Sequence, residues 1–84
     1  MPSSSSTTAR TTVRLHVSVT DLPAVQRVIT LLTGRNYVLT RLEADDAGDG
    51  RWRVALDVVA DSDQVQLLEA RLHRNPSVFG VGRP

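Results

Sequence analysis

The sequence predicts an α+β fold of the ferredoxin-like type, in the order β-α-β-β-α-β. The sheet is expected to be four-stranded and antiparallel, with two helices on one face. Three observations predict it. Apolar and polar residues alternate over residues 13–20 and again over 52–58, the period of a strand with one covered face. Two stretches, 25–32 and 65–72, repeat apolar residues at helical spacing. Turn residues separate the segments, which fill positions 13–82 with almost nothing left over.

The chain has 84 residues, the size of one domain. A domain this small buries only about 60% of its unfolded surface, so a lone copy is marginally stable. The chain has no cysteine, which excludes disulfides and thiolate metal sites. Association with a second copy or another protein is therefore expected. A net charge of +1 gives no global footprint for nucleic acid or for an acidic partner. All ten basic residues are Arg, which we read mainly as coding bias.

Residues 1–12 are rich in Ser and Thr, and a disordered N-terminal tail is expected there. They hold no apolar core of a secretory signal. No stretch approaches the ~20 apolar residues of a membrane span. The expected compartment is the cytoplasm.

In the first strand Val13, Leu15, Val17 and Val19 form the apolar face, while Arg14, His16, Ser18 and Thr20 form the polar one. Thr20 or Asp21 suits a helix cap, and Pro23 suits the first turn, where its missing N–H is harmless. Val25, Val28, Ile29 and Leu32 then make an apolar helical stripe. Gly34 or Asn36 is placed to end that helix in the left-handed conformation. The second strand is expected over residues 37–44. Its two faces conflict, because Val38, Thr40 and Leu42 share one parity and Leu39 breaks it; a bulge would reconcile them. Residues 45–50 read as a hairpin loop. The third strand puts Trp52, Val54, Leu56 and Val58 on one face, with Arg53, Ala55 and Asp57 on the other. Asp61 and Gln64 have capping-box spacing before the stripe Val65, Leu68 and Leu72. Asn75-Pro76 ends that helix, and residues 77–81 form a short last strand. Right-handed crossovers in both βαβ units favour strand order 4-1-3-2.

The chemistry-bearing residues point away from catalysis. His16 lies mid-strand on the polar face, and His73 suits the C-terminal end of the second helix. Neither has a cleft partner in the pattern, as a general base requires. Asp45, Asp46 and Asp49 lack the glycine spacing and distal Glu of a calcium loop. No metal site, catalytic residue or cofactor is expected. RNA-recognition modules share this element order but stack bases on aromatics of the open face. Here that face offers His16, Arg14 and Arg53, with Asp57 offsetting the cations, and no nucleic-acid partner is expected. Acylphosphatase-like enzymes share the order too, but need a glycine-rich phosphate cradle before the first helix. Asp21 in Thr20-Asp21-Leu22-Pro23-Ala24 would repel a phosphate there.

The residues around the first helix carry a resemblance. Val17-Ser18-Val19-Thr20-Asp21-Leu22-Pro23 runs into Ala24-Val25-Gln26-Arg27-Val28, followed by Gly34-Arg35-Asn36-Tyr37. This resembles the ACT domain family, above all the short regulatory small subunit of acetolactate synthase, with its "ALxRV" helix start and "RGY" opening of strand two. Asp63-Gln64-Val65 and residues 66–73 fit the same pattern, so the likeness spans about residues 13–82. The resemblance implies a non-catalytic regulatory or activating subunit in branched-chain amino-acid biosynthesis. Its implied partners are the catalytic large subunit of acetolactate synthase and a second ACT domain in a homodimer. The alternative is a standalone amino-acid-sensing or adaptor module acting on another enzyme. It further implies a branched-chain amino-acid effector at the strand 1–helix 1 turn, lined by Thr20, Asp21, Leu22, Pro23, Ala24 and Val25. That turn departs from the family's "NxPG"-like run. Thr20 stands at the Asn position, and Pro23 stands at the Gly position, where it removes an amide donor.

Overall fold

The computed structural model describes residues 10–84. The elements run β1 (Thr11–Val19), α1 (Leu22–Gly34), β2 (Val38–Gly48), β3 (Arg51–Ala60), α2 (Ser62–Arg74) and β4 (Val78–Gly82). All neighbouring strands pair antiparallel. The sheet order is β2-β3-β1-β4, the expected 4-1-3-2 read from the opposite edge. Of the tail expected over residues 1–12, residues 1–9 lie outside the described residues. Thr11 and Thr12 belong to β1 and not to the tail, because Ala60 and Val59 extend β3 far enough to pair with them.

One face of the sheet carries the core. Leu15, Val17 and Val19 of β1 meet Leu56, Val54 and Trp52 of β3 in register. Val25, Val28 and Leu32 of α1 and Val65, Leu68 and Leu72 of α2 close over them, so both helices cover the same face. Each fully buried Leu or Val contributes roughly 1.5–3 kcal/mol against the entropy of ordering the chain. No polar or charged residue is buried among the described residues.

Local chemistry sets the helix ends. Asp61 accepts from the Gln64 amide at 2.8 Å, and the Gln64 side chain accepts from the Asp61 amide at 3.1 Å, completing the expected capping box. At the end of α1, Asn36 and not Gly34 takes the positive φ, at 60°. The Asn36 amide donates to the Thr33 carbonyl at 3.3 Å and the Tyr37 amide to the Leu32 carbonyl at 3.1 Å, the pair of bonds of a Schellman motif. After α2, the Asn75 side chain accepts from the Ser77 amide at 2.9 Å and turns the chain into β4.

The β2–β3 hairpin departs from expectation. The loop expected over residues 45–50 is a tight turn at Asp49 and Gly50, with φ of 56° and 78°. Positive φ at both central residues is the demand of a type I′ turn, and Asp-Gly meets it. β2 therefore continues to Gly48, with Asp45 opposite Arg53 and Asp46 opposite Trp52. The expected bulge falls between Leu39 and Arg41. It leaves Thr40 unpaired, so Leu39 and Leu42 stand opposite the core-facing Val58 and Leu56. A second shift at β4, opposite Ser18 and Val19, leaves Phe79 exposed.

Candidate functional site

The turn between β1 and α1 is built by two hydrogen bonds and a proline. The Thr20 amide donates to the Ser77 carbonyl at 2.9 Å, which ties the turn to the entry of β4. Asp21 is extended, with φ −160° and ψ 172°, and its Oδ1 accepts from the Ala24 amide at 2.9 Å. Pro23 sits in the first turn of α1, where its ring suits the helical φ.

These bonds decide the electrostatics. A helix N-terminus attracts anions because its first amides lack partners. Here Pro23 has no amide proton, and the Ala24 amide is held by the Asp21 carboxylate. The positive end of α1 is thus answered from within the chain. Asp21 makes the turn more favourable for an ammonium group than for a second carboxylate.

The six residues expected at the site divide. Thr20, Asp21, Leu22 and Pro23 are exposed. Ala24 is fully buried and Val25 is 6% exposed, both in the core. A groove of about 360 Å³ opens along α1 and is lined by Leu22, Pro23, Val25, Gln26 and Ile29. Thr20, Asp21 and Ala24 are not among its walls. A polar recess of about 340 Å³ adjoins it at Pro23, Gln26, Arg27 and Thr30. Gln26 escaped sequence reasoning, and Ile29, which packs against the core as expected, also lines the groove. Their signal was the spacing from Leu22, since residues four and seven positions on share its helical face.

Two of the cations on the open face of the sheet are paired with carboxylates. Arg14 Nε donates to Asp57 Oδ1 at 2.8 Å and Nη2 to Oδ2 at 3.2 Å. The hydrogen bond and charge of Arg14 hold the Asp57 carboxyl below its ordinary value. Arg41 pairs with Glu43 on the edge strand β2. Arg51 stacks over Phe79 at 5.2 Å. Among the described residues no three His, Asp or Glu side chains form a metal-holding group, and no helix is long and apolar enough to cross a membrane.

No family model matches the chain, and no curated protein matches it. Solved structures do. The crystal structure of the ACT domain from GTP pyrophosphokinase of Chlorobium tepidum superposes with a TM-score of 0.79 at 15% identity, over 90% of this chain and 100% of that one. The solution structure of the same domain gives 0.77 at 16% identity, over 89% and 86%. The crystal structure of the acetolactate synthase small subunit from Thermotoga maritima gives 0.76 at 19% identity. That match takes in 87% of this chain and 47% of the subunit. With its strand order of β2-β3-β1-β4 and these superpositions, the chain has the ferredoxin-like fold of ACT domains.

Proposed function

We propose that this chain is a non-catalytic regulatory subunit that activates the catalytic large subunit of acetolactate synthase. The observation that carries the reading is the fold shared over 87% of the chain with the acetolactate synthase small subunit of Thermotoga maritima. The turn at residues 17–28, which resembles that family, supports it.

The proposed effector is a branched-chain amino acid at the strand 1–helix 1 turn. Its apolar side chain packs on Leu22, Pro23 and Val25 in the groove that Gln26 and Ile29 extend. Its ammonium group turns toward Asp21, with Thr20 beside it and Ala24 closing the turn from the core side. Two copies pair through a sheet edge. The exposed edge strand β2 is the better candidate, since Val38 and Leu42 are 46% and 37% exposed there.

The test is acetolactate synthase activity of a catalytic subunit from the same source, with and without this chain, across a valine titration. Activation supports the subunit role, and inhibition by valine on top of it supports the effector site. An unchanged rate sinks the acetolactate synthase reading.

The likeness to the ACT domain of GTP pyrophosphokinase favours a second reading, a regulatory module for a different enzyme. Copurification of the chain with that enzyme, and no effect on acetolactate synthase, would favour it.

A further inference from the structure

A second groove lies between the helices. It has a volume of about 590 Å³ and three guanidinium groups on its walls, Arg27 from α1 and Arg71 and Arg74 from α2. Leu31 and Pro76 give it an apolar floor. No carboxylate lines it. The ion pairs among the described residues use Arg14, Arg41 and Arg83 instead. Glu69, the acid nearest in sequence on α2, is held by two bonds from Arg83.

Two of the groove cations are held by neutral groups. Arg27 Nη1 donates to Ser77 Oγ at 3.1 Å, and Arg71 Nη1 donates to the Tyr37 hydroxyl at 3.3 Å. These bonds orient the guanidiniums and leave their charge uncompensated. Arg71 and Arg74 favour the C-terminal end of α2. That end does not account for Arg27, which comes from the other helix. Three like charges in one groove, in a chain of net charge +1, concentrate positive potential on one face.

We propose that this groove docks an acidic, leucine-containing peptide segment of the protein that the chain regulates. Guanidiniums bind carboxylates through two parallel hydrogen bonds. Their spread along both helices, with apolar floor between them, suits an extended segment that alternates acid and aliphatic side chains. A compact phosphate fits less well. It uses the same guanidiniums but leaves the apolar floor uncovered.

The proposal rests on the regulatory-module reading, but its test does not use acetolactate synthase. A fluorescein-labelled peptide alternating Glu and Leu is titrated with the purified full chain and followed by anisotropy. Saturable binding with a dissociation constant below about 1 mM is expected. It should weaken severalfold between about 50 mM and about 300 mM salt. The double variant Arg71→Gln/Arg74→Gln should bind roughly tenfold more weakly, two exposed ion pairs being lost. Arg27→Gln should give a smaller loss, and Arg53→Gln, outside the groove, none. Circular dichroism confirms that each variant is folded. Absence of binding by the folded wild type overturns the proposal, as does equal binding by the double variant. Displacement of the peptide by ATP or inorganic phosphate at lower concentration than the peptide itself also overturns it, in favour of a small-anion site. A failed peptide titration leaves activation of acetolactate synthase standing, and failed activation leaves the groove standing.

Discussion

Arg14 and Asp57 stand directly opposite each other on the two central strands, and their side chains join through two hydrogen bonds, at 2.8 and 3.2 Å. The pair sits on the sheet face that no helix covers. It ties β1 to β3 there, as the hydrophobic pairs do on the other face.

The first prediction follows from that pair. Arg14 holds the Asp57 carboxyl below its ordinary value of 3.8, so the folded state binds fewer protons than the unfolded one. The stabilisation is present above that value and is lost as pH falls through the lower folded value. Urea melts at pH of about 7 and about 3 should show a smaller acid loss for Asp57→Asn than for the wild type. Equal losses would mean that other carboxylates set the acid limit.

Asp21 caps α1 through the Ala24 amide. Asp21→Ala should cost about 1 kcal/mol in chemical denaturation, whereas Asp21→Asn keeps the acceptor and should cost only a few tenths. Asp21→Asn also removes the charge proposed to meet the effector's ammonium group. A weakened valine response in this stable variant would support the effector role. An unchanged response would leave Asp21 as a cap alone.

Asn36 occupies the left-handed position after α1 at φ 60°. Asn36→Gly should stabilise the domain by a few tenths to about 1 kcal/mol, and Asn36→Val should destabilise it by about 1 kcal/mol or more. Thermal melts decide the sign.

Leu56 lies on the central strand β3 at 1% exposure. Leu56→Ala should cost about 2–5 kcal/mol, a large share of what a domain this size holds. Substantial unfolding near room temperature is the expected reading by circular dichroism.

Leu42 projects from the edge strand at 37% exposure. If two copies pair there, Leu42→Arg should shift the chain from dimer to monomer in light scattering while its melt stays within about 0.5 kcal/mol of wild type. A dimer that survives the change would place the pairing elsewhere.

Much of this protein was legible before any coordinates. The alternation through Leu15, Val17 and Val19, the helical stripes, and the caps at Asp21 and Asp61 are local patterns. Each is enforced by a period or by a hydrogen bond spanning three residues. Crossover handedness then left little choice of strand order. The departures came where the deciding partner was distant in sequence. Asp45 and Asp46 read as loop because they are acidic, but their strand state depends on Arg53 and Trp52 across the hairpin. Thr40 became the bulge residue because Val58 and Leu56 require Leu39 and Leu42 opposite them. Gln26 and Ile29 joined Leu22, Pro23 and Val25 in a groove only once the core had drawn Ala24 inward. Arg27 is far in sequence from Arg71 and Arg74, and only the packing of the two helices onto one sheet face brings its charge to theirs. Local periodicity and capping are written in the order of residues, so the sequence determined the elements and their order. Which exposed side chains share a groove depends on long-range packing, and that the tertiary structure alone decided.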